Sequence, residues 1–457
     1  MNLAANPAGP SLLPGAFGPS GAARARRLQA PELALVLSFV AMFVSNLAFG
    51  QPNQRITPIT FAVASFTFLL LGFCFLLLRH LLLRDVFLPG PHARRVLPYI
   101  VFWFLASISG SVVGVLHENS LNYLVGDVYK NFEPLLIFFL AYFCFRRHPA
   151  ERPVLRLFSI LFACVLLYII ITSFEDFSSG ARVYDLTVAF CPFIVTTQLY
   201  LFRDTRSLFS RLLFVAVLVT VCVSLIISQT RIPILLTVIG MGAFLLLGRA
   251  TRSRISLLGL VLAIGLVGGA VWYLLPLREP MSGTVDRFDW FVESVRSGRD
   301  PGLTGGVRLP EVLAVGSLFR AEPEKIFFGF GLGSSVETED DFARASKHYI
   351  HVGLAEITYR MGVIGLSSFA VLNLYLLLLA YRKRGETLTY LATAVGIQQG
   401  VNTILASPFV VDTVVYLVYG AMVAMLDRQP VEAPAATRKI EAAARRPAVV
   451  FHRSIML

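Results

Sequence analysis

The chain has 457 residues, of which 56% are hydrophobic and only 15% charged, and its mean hydropathy is +0.70. A soluble domain carries roughly 25% charged residues, so this composition excludes a soluble enzyme, a disordered chain and a nucleic-acid module. The net charge of +12 and pI near 9.7 are then first explained by arginines in cytoplasmic loops of a membrane protein.

Residues 1–30 are rich in Ala, Gly and Pro and read as a flexible cytoplasmic leader; no small-residue cleavage pattern follows the first apolar run. A spanning helix needs about 20 mostly apolar residues. The candidates, about twelve by that measure, are 33–49, 57–78, 96–116, 124–145, 154–174, 184–202, 207–227, 232–248, 255–277, 362–381, 387–405 and 408–426. The eleventh is the least apolar, with Gln398, Gln399 and Asn402 inside it. The fold class expected is an all-α polytopic membrane protein. Spans one to nine fill 31–277, a large external loop 278–361, spans ten to twelve 362–426 and a basic cytoplasmic tail 427–457.

Orientation follows from the connections, because Lys and Arg favour the cytoplasmic side. Alternate connections are basic: Arg79, Arg84, Arg94 and Arg95; Arg146, Arg147 and Arg152; Arg203, Arg206 and Arg211; Arg249, Arg252 and Arg254; Arg382, Lys383 and Arg384. The intervening short loops hold Arg55, Arg182 and Arg231. Both termini are therefore expected on the cytoplasmic side of the membrane.

Within the spans, Lys130 has Asp127 and Glu133 three residues to either side. Intramembrane charges default to functional or paired, and the i,i+3 spacing leaves both readings open. Arg231 sits in the short turn Ser228-Gln229-Thr230-Arg231. Its planar fork of donors suits a phosphate, and a headgroup anchor is the alternative. The cysteines Cys74, Cys144, Cys164, Cys191 and Cys222 lie in apolar runs and give no disulfide framework. The histidines form no HExxH or Cys/His cluster, so no zinc site is expected.

The external segment is long enough to suggest function. Residues 284–295 and 307–320 have helical apolar spacing and read as amphipathic helices lying on the membrane surface. In the second, Val312, Leu313, Val315, Leu318 and Phe319 form the apolar set beside Arg308, Glu311 and Arg320. Gly329-Phe330-Gly331-Leu332-Gly333 follows, a run suited to a tight turn and a close backbone approach. The acidic run Glu337, Glu339, Asp340 and Asp341 reads as a solvated loop, with a divalent-cation site as the alternative. His348 and His351 come next; with His117 they are the external histidines. Each is either an interfacial side chain or a proton acceptor.

Three of these features, in this order and with this topology, resemble the O-antigen ligase and polymerase family of bacterial envelope enzymes. Ser228 to Arg231 is similar to the family's Ser-x-Ser-Arg turn. Phe328 to Gly333 is similar to its Gly-x-Gly-x-Gly. His351, Leu354, Ala355, Glu356 and Gly362-Val363-Ile364-Gly365-Leu366 are similar to its His-Asn, acidic and Gly-Ile-Ile-Gly-Leu elements. The likeness is strongest over 210–380. Val352 stands where the family has Asn, and the spacing to Gly362 favours His351 over His348.

The resemblance implies a membrane glycosyltransferase that takes a glycan from undecaprenyl pyrophosphate. A ligase would pass it to a lipid A-core sugar and a polymerase to another lipid-linked unit; a lipid-linked glycan transporter is the rival of another class. His351 would be catalytic. Arg231, Arg308, Lys130, His348 and Gly331 would bind substrate. No metal or other cofactor is expected, because the first external loop, 51–56, carries no acid and arginines can supply the positive charge. The partners are then donor, acceptor and membrane lipid, with no nucleic acid.

Overall fold

The computed structural model describes residues 89–147, 151–172, 186–202, 208–228, 231–247, 308–340, 343–347, 350, 352–384, 387–406 and 412–428, with scattered positions between 35 and 74. The expected spans 33–49, 57–78 and 255–277 and the expected helix 284–295 lie wholly or mostly outside these residues.

The first long helix, α1 (Pro91–Leu116), has proline in its first turn, where the missing N–H would have had no helical partner. It buries Val96, Ile100, Trp103, Ser107, Gly110 and Gly114, a stripe at three- and four-residue spacing. The rest of its surface is also apolar and exposed, including Val101, Phe104, Leu105, Val112 and Val115. Apolar surface this continuous is foreign to water-facing monomers and is what a lipid-facing helix presents.

Next come α2 (Leu121–Arg147), α3 (Glu151–Thr172), a 3-10 turn (Leu186–Phe190), α4 (Cys191–Phe202), α5 (Leu208–Ser228) and α6 (Arg231–Leu247). Further along the chain, α8 (Gly353–Arg382), α9 (Thr387–Leu405) and α10 (Asp412–Arg428) complete the described bundle. Helices α1 and α8 run antiparallel, with Tyr99 against Tyr375 and Trp103 against Phe369, ring centroids 4.4 and 5.2 Å apart. Helix α2 packs along α10, and α9 lies among α4, α6, α8 and α10.

This arrangement corrects the expected count of about twelve spans. Among the described residues four helices are long and apolar enough to cross a membrane: Pro91–Leu116, Leu121–Arg146, Glu151–Thr172 and Gly353–Arg382. Stretches Val188–Phe202, Arg211–Leu225 and Ile232–Leu247 are apolar but shorter. Hydropathy alone misreads them because an apolar run can be buried by protein as well as by lipid. Helices α4, with 12 residues, and α10, with 17, are buried on nearly every side, as a helix apolar all round should be.

The polar side chains of α9 point inward. Gln398 is buried, and its Nε2 donates to the carbonyls of Pro192 and Leu236 at 3.1 and 2.9 Å, while Thr196 Oγ1 donates to its Oε1 at 3.2 Å. One amide thus ties α9 to α4 and α6.

The architecture is all-helical as expected, with one short hairpin added among the described residues. The segment before α8 contains helix α7 (Arg308–Ala321), a 3-10 turn (Pro323–Ile326), and strands β1 (Val336–Asp340) and β2 (Ala343–Lys347) paired antiparallel. The acidic run expected as a solvated loop therefore supplies most of a strand, with Glu339 opposite Arg344 in the register. Helix α7 turns Val315 and Glu311 inward, leaving Val312 and Leu313 exposed. With Phe330, Val336, Ile350, Ala355 and Tyr359, Val315 forms a small second core.

At the end of the bundle where α1 begins, Asp427 of α10 caps that helix from a distance. Its carboxylate accepts from the amides of His92 (2.9 Å) and Ala93 (3.2 Å) and from the Tyr142 hydroxyl (2.8 Å). Tyr142 in turn accepts from the Gly90 amide at 2.9 Å. Arg428 pairs with Glu151 nearby at 3.3 Å. Arg94 and Arg95 of α1, Arg146 and Arg147 of α2 and Arg152 of α3 thus share one end. Asp427→Ala removes the acceptor of orphan helix donors and should destabilise the protein by about 2–4 kcal/mol. Thermal unfolding in detergent reads this as a lowered midpoint, with Asp427→Asn intermediate; an unchanged midpoint in the alanine variant would show that the cap carries little weight.

Candidate functional site

The opposite end of the bundle holds the glycine run and the charged residues. Its geometry starts from a break in α8. Gly362 has φ 64° and ψ −166°, a non-helical conformation inside a 30-residue helix. In an unbroken helix the amides of Val363 and Ile364 would bond the carbonyls of Tyr359 and Arg360. Here the Ile364 amide bonds the Phe327 carbonyl instead, at 3.2 Å. The Tyr359 and Arg360 carbonyls accept from the amides of Phe330 (2.8 Å) and Gly331 (3.1 Å). The loop 327–333 therefore supplies new partners for three of these four backbone groups.

The glycines make that approach possible. Gly329, Gly331 and Gly333 all have φ between 75° and 85°, a region L side chains rarely adopt. A Cβ on Gly331 would lie 2.3 Å from the Gly114 amide nitrogen, and one on Gly329 2.6 Å from the Arg360 carbonyl carbon. The loop is also held by α1 and the turn after it. Leu332 donates to the Gly110 carbonyl at 2.9 Å, and Asn119 Nδ2 donates to the Phe330 and Leu332 carbonyls, both at 3.0 Å. His117 Nδ1 lies 3.3 Å from the same Phe330 carbonyl.

From α2, Asp127 closes the assembly. Its Oδ2 accepts from the Gly333 amide at 2.8 Å, and its Oδ1 accepts from Arg360 Nη1 at 2.5 Å. Arg360 also pairs through Nη2 with Glu356 Oε1 at 3.0 Å, one helical turn earlier. Asp127, Glu356 and Arg360 are at most 1% exposed. Lys130 Nζ lies 3.9 Å from Asp127 Oδ1, and its side chain keeps 30% of its exposure. Each of these two carboxylates has a cation beside it, as burial demands. Two further buried carboxylates, Glu133 and Asp412, lie in the same electrostatic neighbourhood. Of the four ion-paired residues Lys130 is the one that reaches the surface.

Two of the sequence-derived site residues, Lys130 and Gly331, meet here: Lys130 shares Asp127 with Arg360, and Gly331 bonds the Arg360 carbonyl. Lys130 is ion-paired as its i,i+3 spacing allowed, although Asp127 is engaged more closely by Arg360. Gly331 is buried, with its amide committed to Arg360. Arg231 is the first residue of α6 and Arg308 the first of α7; their side chains, like His348 and His351, lie outside the described residues. The neighbours of His351 are placed: Ile350 is buried in the second core and Val352 packs against it.

Arg360 was not singled out from the sequence. It lay just before the expected span at 362, whereas α8 begins at Gly353. The usable signal was the Glu356–Arg360 i,i+4 pair at the head of an apolar helix. Among the described residues no group of three or more His, Cys, Asp or Glu is arranged to hold a metal ion. No protein-family model matches the chain, and no curated protein matches it.

Removing one partner of a buried ion pair strands the other, so Arg360→Leu should destabilise the fold by about 3–5 kcal/mol. Asp127→Asn, which keeps an acceptor for the Gly333 amide, should be milder. Thermal midpoints in detergent test the order; equal stability of wild type and Arg360→Leu would remove the ion network from the account.

Proposed function

We propose that the protein is an O-antigen ligase-like glycosyltransferase of the bacterial inner membrane. Its donor is a glycan on undecaprenyl pyrophosphate and its acceptor a lipid A-core sugar. What supports the reading is the physical union of two of the resembling motifs: the Gly329–Gly333 run and the Gly362 break complete each other's hydrogen bonds, beside a partly exposed Lys130. The chemistry of the residues fits a pyrophosphate leaving group. Both termini are cytoplasmic in this reading, and the glycine loop faces the periplasm.

In the reaction the acceptor hydroxyl attacks the anomeric carbon. The bond from that carbon to the pyrophosphate oxygen breaks, and its electrons leave with the lipid pyrophosphate. His351, with His348 nearby in sequence, takes the hydroxyl proton, and the anomeric centre inverts. A positioned base of this kind is worth about 10²–10⁴ in rate. Arg231, Arg308 and Lys130 meet the charge on the departing pyrophosphate, each preorganised donor supplying roughly 2.7–4 kcal/mol. The donor bond is energy-rich, so no nucleotide is needed outside the cytoplasm, and cationic side chains stand where other enzymes use a metal.

His351→Ala and Arg231→Ala should abolish transfer in reconstituted vesicles supplied with donor and acceptor, while membrane levels of the protein stay normal. Normal transfer by both variants would overturn the assignment. Transfer should also persist in EDTA; complete loss that added metal reverses would replace the arginines with a cation. In a deletion strain, lipid-linked polymer should accumulate and none reach the core. Cores capped with single repeat units would instead identify a polymerase.

A further inference from the structure

Beyond the glycosyl-transfer reading, and independent of it, the turn that leads into the glycine loop has a surface of its own. Ile326, Phe327 and Phe328 are 36%, 61% and 49% exposed. They are not a loose tip. The Phe327 carbonyl accepts from the Ile364 amide at 3.2 Å, and a Cβ on Gly362 would lie 2.3 Å from the Phe327 carbonyl carbon. The three side chains are thus fixed against the kink of α8, next to Val363, itself 42% exposed.

Val363 begins the outward stripe of α8. Val371, Leu374, Leu378 and Tyr381 continue it at three-, four- and eight-residue steps, all at least 40% exposed. The stripe ends at an interfacial signature: Tyr381 carries the Arg384 guanidinium 4.7 Å above its ring, followed by Arg382 and Lys383. Counting back from Tyr381 to Gly362 at 1.5 Å per residue gives about 28 Å. The hydrocarbon core is about 30 Å thick. The kink therefore lies at the far hydrocarbon boundary, and the docked aromatic pair lies at the same depth. On the water side the chain turns charged at once, with Glu322, Glu324 and Lys325, and Lys325 is paired to Glu322 at 2.6 Å.

We propose that Ile326-Phe327-Phe328 is a membrane-inserted hook that packs against bilayer acyl chains at the hydrocarbon boundary and holds the glycine loop at a fixed depth. The outward apolar face of α8, exposed at Val371, Leu374, Leu378 and Tyr381, reappears at Val363 beside this patch, and that shared face selects acyl chains as its occupant. Bilayer contact also explains why two exposed phenylalanines adjoin a loop whose backbone is bonded to α1, α2 and α8.

The test uses the wild-type protein in nanodiscs containing a phosphatidylcholine with a diazirine on its acyl chain near the glycerol. After irradiation, adducts are mapped by mass spectrometry. The hook predicts adducts on residues 326–328 at yields comparable to those on Leu374 and Leu378. Adducts on Leu374 and Leu378 with none on 326–328, together with labelling of 326–328 by a water-soluble diazirine, would overturn it and leave the patch facing water or a protein partner. Neither result depends on sugar transfer, so the hook and the enzymatic reading fail separately.

Discussion

Gly362 opens α8 where the backbone is buried in the protein, out of reach of water that could satisfy it. Irregular backbone near the hydrocarbon survives only where protein supplies the missing partners. Here the partners come from one loop. The Phe327 carbonyl takes the Ile364 amide, and the Phe330 and Gly331 amides take the carbonyls of Tyr359 and Arg360. The kink and the glycine run are two halves of one structure. Neither is satisfied without the other, and the positions of α1, α7 and the hairpin follow from where that loop must lie.

Electrostatics fastens the same junction. The residue whose carbonyl receives Gly331, Arg360, sends its guanidinium to Asp127, and Asp127 uses its second oxygen on the Gly333 amide. Backbone and side chain of one arginine thus grip both sides of the glycine loop. Buried charges offer little net stability compared with apolar packing, yet they tolerate few alternative arrangements. Glu356 and Lys130 complete the ion-paired group. Because Lys130 alone of the four is substantially exposed, a charged ligand at this end would meet it first, with its position set by the buried three.

Much of this was legible in the sequence, for reasons specific to each element. The apolar runs of α1, α2, α3 and α8 are long enough to name themselves. The glycine run announced a close backbone approach, and the structure supplies the surface approached, the α8 kink and Gly114. Its partner motif at Gly362 to Leu366 was visible, but their hydrogen-bonded union was not, since no local pattern records contacts 29 to 37 residues apart. The number of spans failed because composition cannot tell a helix buried by neighbours, such as α10, from one bathed in lipid. The hairpin was hidden because charged, alternating Val336–Asp340 reads as solvated chain until its register with Ala343–Lys347 is known. Arg360 was hidden by a boundary drawn at the kink instead of at the helix start.

The exchange of hydrogen bonds between loop and kink is open to direct measurement by amide hydrogen exchange in nanodiscs. In the wild-type protein the peptide spanning Phe330 and Gly331 should exchange as slowly as the body of α8. In Gly362→Ala, which favours a continuous helix and returns the Tyr359 and Arg360 carbonyls to Val363 and Ile364, the same peptide should exchange far faster. Rapid exchange of that peptide in the wild type, or identical protection in the variant, would contradict the account.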